Sequence, residues 1–76
     1  MIKKEYRLIT ICTKPEIGKN CELIAIRDGL ERKIRTSPVE DFYLSQYKNV
    51  VSTKHSVYIG YENIYTDPFF SNELID

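Results

Sequence analysis

The stretch CELIAIRDGLERKIRT, residues 21–36, places two β-prone runs on either side of Asp28-Gly29. Asp-Gly favours a two-residue type I′ turn, because both central residues need a positive φ angle, which Gly adopts freely and Asp tolerates. In the second run, Leu30 and Ile34 alternate with charged residues that would point to the opposite face. The stretch therefore predicts a β-hairpin, which describes architecture and not activity.

Further β-prone runs lie before and after this hairpin. Residues 5–13 predict a first strand, in which the adjacent Leu8 and Ile9 indicate either a bulge or burial on both faces. Residues 49–53 and 56–61 predict two more strands. Together with the hairpin, these runs predict five short strands.

The segment between the hairpin and the fourth predicted strand carries a helix signal. The run from Ser37 to Glu40 matches a capping box, in which a Ser and a Glu side chain satisfy free N–H groups of a first helical turn. We expect one or two helical turns within residues 36–47, or an irregular loop in their place. Asp67-Pro68 is a second candidate helix start.

The whole chain, residues 1–76, is long enough for one small domain. Five short strands in hairpin order and no long helix predict a mainly β fold, a small five-stranded antiparallel barrel or rolled sheet of SH3-like or OB-like size. A domain of this length buries only ~60% of the surface of its unfolded chain, and a partner chain often supplies the missing burial. We therefore expect a homodimer.

The charges divide the chain into a basic body and an acidic C-terminal part. Residues 1–54 hold all 11 Lys and Arg and 7 acids, whereas residues 55–76 hold four acids and no Lys or Arg. Residues 62–76 contain those four acids and are rich in aromatic and aliphatic side chains, which are costly to leave in water. We expect this acidic aromatic segment to pack on the barrel or on a partner.

No set of residues in the sequence supports catalysis, a cofactor or a metal ion. His55 lacks an evident nucleophile and orienting carboxylate, and the adjacent Glu40 and Asp41 would point apart in regular structure. Cys12 and Cys21 with a single His cannot complete a four-ligand zinc site. No glycine-rich phosphate-binding motif is present. We therefore expect a protein that is not an enzyme.

The N-terminal residues carry no secretory signal, because charged residues follow Met1 within two positions and no apolar stretch precedes a small-residue cleavage site. No apolar run approaches the ~20 residues that span a membrane. We expect a cytoplasmic protein without membrane contact, in which Cys12 and Cys21 stay reduced.

A nucleic-acid interface is the alternative to a protein interface. Lys33 and Arg35 share one face of a predicted strand, and Lys48 and Lys54 would extend it. A basic surface combined with aromatic side chains, here six tyrosines, is how small barrels hold single strands. The pI of about 6.6 and the interruption by Glu31 count against this interpretation, since phosphate-binding domains are normally much more basic.

The run Thr36-Ser-Pro-Val39, followed by Val51-Ser-Thr-Lys-His-Ser-Val-Tyr58, resembles small uncharacterised β-rich proteins carried by phages, plasmids and low-GC Gram-positive bacteria. The resemblance covers about the middle third of the chain. It implies an accessory or regulatory role and transfers no functional residue.

Small size, missing catalytic residues and the aromatic C-terminal segment favour a small non-enzymatic binding protein, a regulator or inhibitor that acts through protein contacts. Aromatic side chains dominate the energetics of such interfaces. The expected anchors are Tyr58, Tyr61, Tyr65, Phe69 and Phe70. A binder of a small polar ligand or nucleotide, with its pocket at a dimer interface, is a further alternative.

Overall fold

The computed structural model of the protein describes residues 2–61, which form one six-stranded sheet. In chain order the strands are β1 (Lys4–Ile11), β2 (Glu22–Arg27), β3 (Leu30–Arg35), β4 (Asp41–Leu44), β5 (Lys48–Ser52) and β6 (Ser56–Tyr61). Their order across the sheet is β3-β2-β1-β6-β5-β4. Neighbouring strands are antiparallel except for β1 and β6, which are parallel. The prediction of a mainly β fold is confirmed.

The Asp28-Gly29 hairpin joins β2 to β3 as predicted. Both turn residues have positive φ angles, 55° at Asp28 and 77° at Gly29. Arg27 pairs directly with Leu30 across the two-residue loop, and the pairing continues in register along both strands. The local turn signal is therefore sufficient to position these two strands.

The irregularity at Leu8 and Ile9 is a bulge in β1. The register between β1 and β2 shifts between Leu8 and Thr10. As a result Leu8 and Ile11, three positions apart, both reach the buried face, with 2% and 0% of their surfaces exposed. Of the two sequence interpretations of this run, the bulge is confirmed.

The prediction named a five-stranded antiparallel barrel or rolled sheet. Its strand number, its purely antiparallel pairing and the closed barrel are wrong, because residues 2–61 form six strands in one mixed sheet. β1 and β6 pair in the middle of the sheet, so β3 and β4 are its two edges within residues 2–61. Hairpin order along the chain predicts antiparallel neighbours only. It therefore misses a parallel pair formed by two strands that are distant in sequence.

The connection between β3 and β4 requires the sheet to curl. A flat six-stranded sheet would hold these edge strands about 24 Å apart. The connecting residues 36–40 extend to only about 20 Å, and they must also return from the end of β3 to the start of β4. The sheet therefore bends around this crossover, with a concave face towards it and a convex face on the other side.

Residues 36–47 form the crossover and β4, so the prediction of helical turns there is wrong. A capping box would direct the N–H of Glu40 to the side chain of Ser37. That N–H instead donates to the carbonyl oxygen of Ser52 at 2.8 Å. Pairing with β5 therefore uses the Glu40 N–H that a helix start would have bonded to Ser37. The second candidate helix start, Asp67-Pro68, lies outside the described residues.

Thr36 attaches the start of the crossover to the sheet. Its hydroxyl accepts a hydrogen bond from the N–H of Cys21 at 3.0 Å and donates one to the carbonyl oxygen of Ser37 at 2.7 Å. Further along, an isolated parallel bridge joins Val39 to Ile17 in the loop between β1 and β2. The crossover is therefore held at both of these points.

The hydrophobic core fills the concave face and includes a residue of the crossover. Its buried members are Leu8, Ile11, Cys21, Leu23, Ala25, Val39, Val51 and Tyr58. Tyr6, Ile34, Phe42 and Leu44 pack against them. Because side chains alternate along a strand, the residues between these positions face the convex side.

Neither Cys12 nor Cys21 forms a disulfide, and the surroundings of the two thiols differ. Cys21 is fully buried, whereas Cys12 is half-buried. Burial raises the pKa of the Cys21 thiol above its usual value, and this outweighs the hydrogen bond with Thr13, which lowers it. The thiolate, which is the reactive form, is therefore scarce at Cys21 near neutral pH.

We expect iodoacetamide at neutral pH to modify Cys12 at least about tenfold faster than Cys21, because only Cys12 has solvent access and the Cys21 thiol stays protonated. Mass spectrometry of the peptides at several time points measures both rates. A Cys12→Ser variant serves as the control and should react only after denaturation. Rapid labelling of that variant in its folded state would contradict the buried position of Cys21.

Candidate protein-interaction surface

The convex face carries a continuous row of side chains that crosses five strands. The strand registers place Ile26, Arg7, Ile59, Val50 and Tyr43 next to one another, from β2 to β4. The three aliphatic side chains are half-buried, whereas the arginine and the tyrosine are exposed. Side chains directly opposite each other on neighbouring strands are in contact range. The row therefore combines apolar surface with a cation and an aromatic ring.

Three exposed tyrosines lie at the β4–β5 end of the sheet, and together with Lys48 they form what we term the tyrosine surface. Tyr43 is 59% exposed, Tyr47 77% and Tyr61 66%. Tyr61 pairs with Lys48 across β6 and β5. The Lys48 Nζ lies 6.0 Å from the centre of the Tyr61 ring, which is a cation–π contact. Tyr47 precedes Lys48 in the turn between β4 and β5.

A shallow cavity of about 420 Å³ opens on the tyrosine surface. Its lining combines the ring of Tyr43 and the aliphatic side chain of Val50 with the opposite charges of Asp41 and Lys48. Most ligand sites have this kind of lining, a predominantly apolar wall with a few polar groups that fix orientation. Here the depression is open, which suits a side chain of another protein better than an enclosed small molecule.

Ser45 holds the turn that presents Tyr47 and Lys48. Its hydroxyl donates to the carbonyl oxygen of Lys48 at 2.9 Å and accepts from the N–H groups of Lys48 and Tyr47 at 3.0 and 3.3 Å. The N–H of Ser45 donates to Oδ1 of Asn49 at 3.2 Å, and Asn49 is fully buried. The turn backbone is therefore fixed from the inside before any partner binds.

The structure places Tyr58, one of the expected anchors, in the core. Tyr58 is 5% exposed, and its ring stacks on that of Tyr6 at a centroid distance of 5.5 Å. Burial raises the pKa of Tyr58, so its phenol remains neutral. Tyr61 is exposed on the tyrosine surface. The other expected anchors, Tyr65, Phe69 and Phe70, lie outside the described residues.

Tyr43 and Tyr47 are interface candidates that the sequence does not single out as anchors. The signal that could have found Tyr43 is the alternation in β4, where it lies between Phe42 and Leu44. Because those two side chains pack against the core, Tyr43 must face the opposite side. That inference needs β4 to be recognised as a strand, and the capping-box signal obscures it.

The four basic residues considered for nucleic-acid binding lie in three places. Lys33 and Arg35 belong to the edge strand β3, and Lys33 Nζ lies 3.9 Å from a carboxylate oxygen of Glu22. Lys48 lies on β5, which β2, β1 and β6 separate from β3 in the sheet. Lys54 lies in the turn between β5 and β6. A single strand in contact with all four would have to cross most of the sheet.

A second depression, of about 620 Å³, lies beside the crossover. It is bordered by Ile17, Pro38 and Val39 and by Lys54 and His55 of the β5–β6 turn. Ile17 is 61% exposed although it is aliphatic. The fold thus brings together turn residues and an apolar loop that are far apart in the sequence. The resulting groove suits contact with an apolar side chain.

Within residues 2–61, no three His, Cys, Asp or Glu side chains come together in a way that could hold a metal ion. A helix with the length and hydropathy needed to cross a bilayer is likewise missing from the described part of the chain. The sequence matches no protein-family model, and neither a curated protein nor a solved structure matches it.

Proposed function

We propose that the protein is a small non-enzymatic binding protein, a regulator or inhibitor, that recognises another protein through the tyrosine surface. The observation that supports this most directly is the exposure of Tyr43, Tyr47 and Tyr61 at one end of the sheet. Several exposed aromatic side chains at one end of a sheet are a candidate interaction site. Tyrosine is also among the residues enriched at protein interfaces.

The chemistry of tyrosine suits this role. Each tyrosine ring buries a large area on binding, while only two side-chain torsions become fixed. The hydroxyl can form a hydrogen bond at the edge of the interface. The Ser45 turn holds the backbone of Tyr47 and Lys48 in place, which reduces the ordering cost of association. The surface is therefore largely preorganised.

The charges of the surface indicate what the partner should present. Lys48 lies over the Tyr61 ring, and Asp41 lines the cavity together with Tyr43. We expect the partner to place an apolar side chain in the cavity and a carboxylate near Lys48, because complementary charges fix register and exclude wrong partners. We place this binding in the cytoplasm, where the thiols of Cys12 and Cys21 would persist.

Replacing both Tyr43 and Tyr61 with Ser is expected to reduce capture of the partner at least about tenfold, since truncation of an aromatic anchor costs roughly 2 kcal/mol or more. Immobilised wild-type and variant proteins are compared by quantitative mass spectrometry of the proteins that they retain from a cell extract. The variant should keep its urea denaturation midpoint, because both side chains are mostly exposed.

The matched control is Leu30→Ser, which removes an exposed apolar side chain, 58% accessible, from the opposite edge strand. Leu30→Ser should retain the same proteins as the wild type. Equal loss in both variants would argue against recognition by the tyrosine surface. The alternative is tested with a single-stranded oligonucleotide. Nucleic-acid binding would be favoured if the affinity for it fell steeply between about 50 and 200 mM salt and if the Lys33→Ala/Arg35→Ala variant no longer bound it.

A further inference from the structure

We propose that residues 62–76 of the same chain dock on an aliphatic patch at the centre of the convex face. The patch consists of Ile24 and Ile26 of β2 and Val57 and Ile59 of β6. Ile26 and Ile59 pair with Arg7 of β1 from its two sides, whereas Ile24 pairs with Thr10 and Val57 with Glu5. This inference does not depend on the proposed function, because the patch shares no residue with the tyrosine surface, although Ile59 and Tyr61 are neighbours on one face of β6.

The patch lies on the convex face of the sheet. Among the described residues, only the opposite, concave face is covered by a further segment, the crossover. The crossover residue Val39 belongs to the core on the concave face. All four aliphatic side chains of the patch are partly buried, so each keeps a minor part of its surface open to solvent. Stable domains bury such a face against a further layer of structure. The convex face therefore has room for a further layer formed by residues outside 2–61.

The position where β6 ends makes the rest of the chain the nearest cover. Tyr61 ends β6, and Ile59, two residues earlier, is part of the patch. Fifteen residues follow, numbers 62–76. If five of them reverse the chain direction, the other ten extend to about 33 Å. That length exceeds the width of the four aliphatic residues and Arg7 across three adjacent strands, which is about 10 Å.

The composition of the segment matches the composition of the patch. Its apolar side chains are Ile64, Tyr65, Phe69, Phe70, Leu74 and Ile75. It also has four acids and no Lys or Arg, whereas residues 1–61 hold 11 Lys and Arg against 7 acids. Arg7 is exposed in the middle of the patch, and no carboxylate of residues 2–61 forms an ion pair with it. An acid of the segment would supply that missing charge beside the apolar contacts.

Photo-crosslinking of the full chain tests where the segment lies. p-Benzoylphenylalanine is introduced at Ile59, in the patch, and in a separate protein at Leu30, which is exposed on the β3 edge and faces the other side. Light and isotopically heavy protein are mixed before irradiation, so that links within a chain differ in mass from links between chains. We expect the Ile59 protein to give links to residues 62–76 within one chain, at least fivefold more than the Leu30 protein.

Three crosslinking results would overturn the proposal. Crosslinks from position 59 that join a light chain to a heavy chain would show that a second copy covers the patch. Equal yields of crosslinks to residues 62–76 from positions 59 and 30 would show that the segment does not dock on the patch. The absence of any crosslink to residues 62–76 would show the same. A stability measurement supplements the links. Phe69→Ser/Phe70→Ser should lower the urea denaturation midpoint of the full chain, whereas Tyr47→Ser, an exposed aromatic on the tyrosine surface, should leave it unchanged. An unchanged midpoint in the double variant would also count against docking.

Discussion

Leu23→Ala is expected to lower the free energy of unfolding by about 3 kcal/mol, within the 2–5 kcal/mol usual for deletion of a buried leucine side chain. Leu23 is 0% exposed and lies on β2 between Ile11 of β1 and Ile34 of β3. The loss combines the transfer free energy of the removed carbons with the cavity that they leave. A domain of this size has a small stability margin, so a large fraction of the variant should be unfolded at 37 °C. Urea denaturation followed by circular dichroism measures the change.

The matched control for this prediction lies in the same hairpin. Leu30→Ala makes the same substitution at a position that is 58% exposed. It should change the free energy of unfolding by no more than about 0.5 kcal/mol. If both variants lost the same stability, Leu23 would not occupy a more buried position than Leu30.

Gly29→Val should destabilise the protein by about 2–3 kcal/mol, mainly through backbone strain. Gly29 has a φ of +77°, and a β-branched residue is strongly disfavoured in that region. No heavy atom lies within 4 Å of where a Cβ would be added. The effect should therefore report the backbone conformation and not a clash with a neighbour. Thermal denaturation of the two proteins provides the measurement.

Gly29→Asn is the control for the turn, because Asn adopts positive φ angles more readily than other non-glycine residues. It should recover most of the stability that Val loses. Equal melting temperatures for the wild type and the Val variant would mean that the type I′ geometry is not required in solution.

The parts of the fold that can be read from the sequence are those decided by residues close together in the chain. Asp28-Gly29 alone specifies the turn, the loop length and hence the register of β2 and β3. The adjacent Leu8 and Ile9 likewise mark the bulge. In both cases the physical cause is local, either an allowed φ angle or the twofold alternation of side chains along a strand.

The parts that cannot be read depend on pairing between distant residues. Ser37 and Glu40 form a plausible helix start in isolation, and the N–H of Glu40 is lost to Ser52 only because β5 is available to accept it. Tyr58 is an example at the candidate site. In β6, Val57 and Ile59 point to one face of the sheet and Tyr58 points to the other. The sequence shows this alternation but does not show which face packs against the core. The parallel pairing with β1 decides that question, since it sets Tyr58 opposite Tyr6.

That parallel pairing also affects how the protein folds during synthesis. Lys4, near the start of the described chain, pairs with Ser56, near its end. The hairpin of β2 and β3 can form while later residues are still being added, but β1 then has one unpaired edge until β6 leaves the ribosome. At ~5–20 residues per second, this wait lasts some seconds. An unpaired edge strand is a template for pairing with other chains. Slower translation of the second half is therefore expected to increase aggregation of the nascent protein.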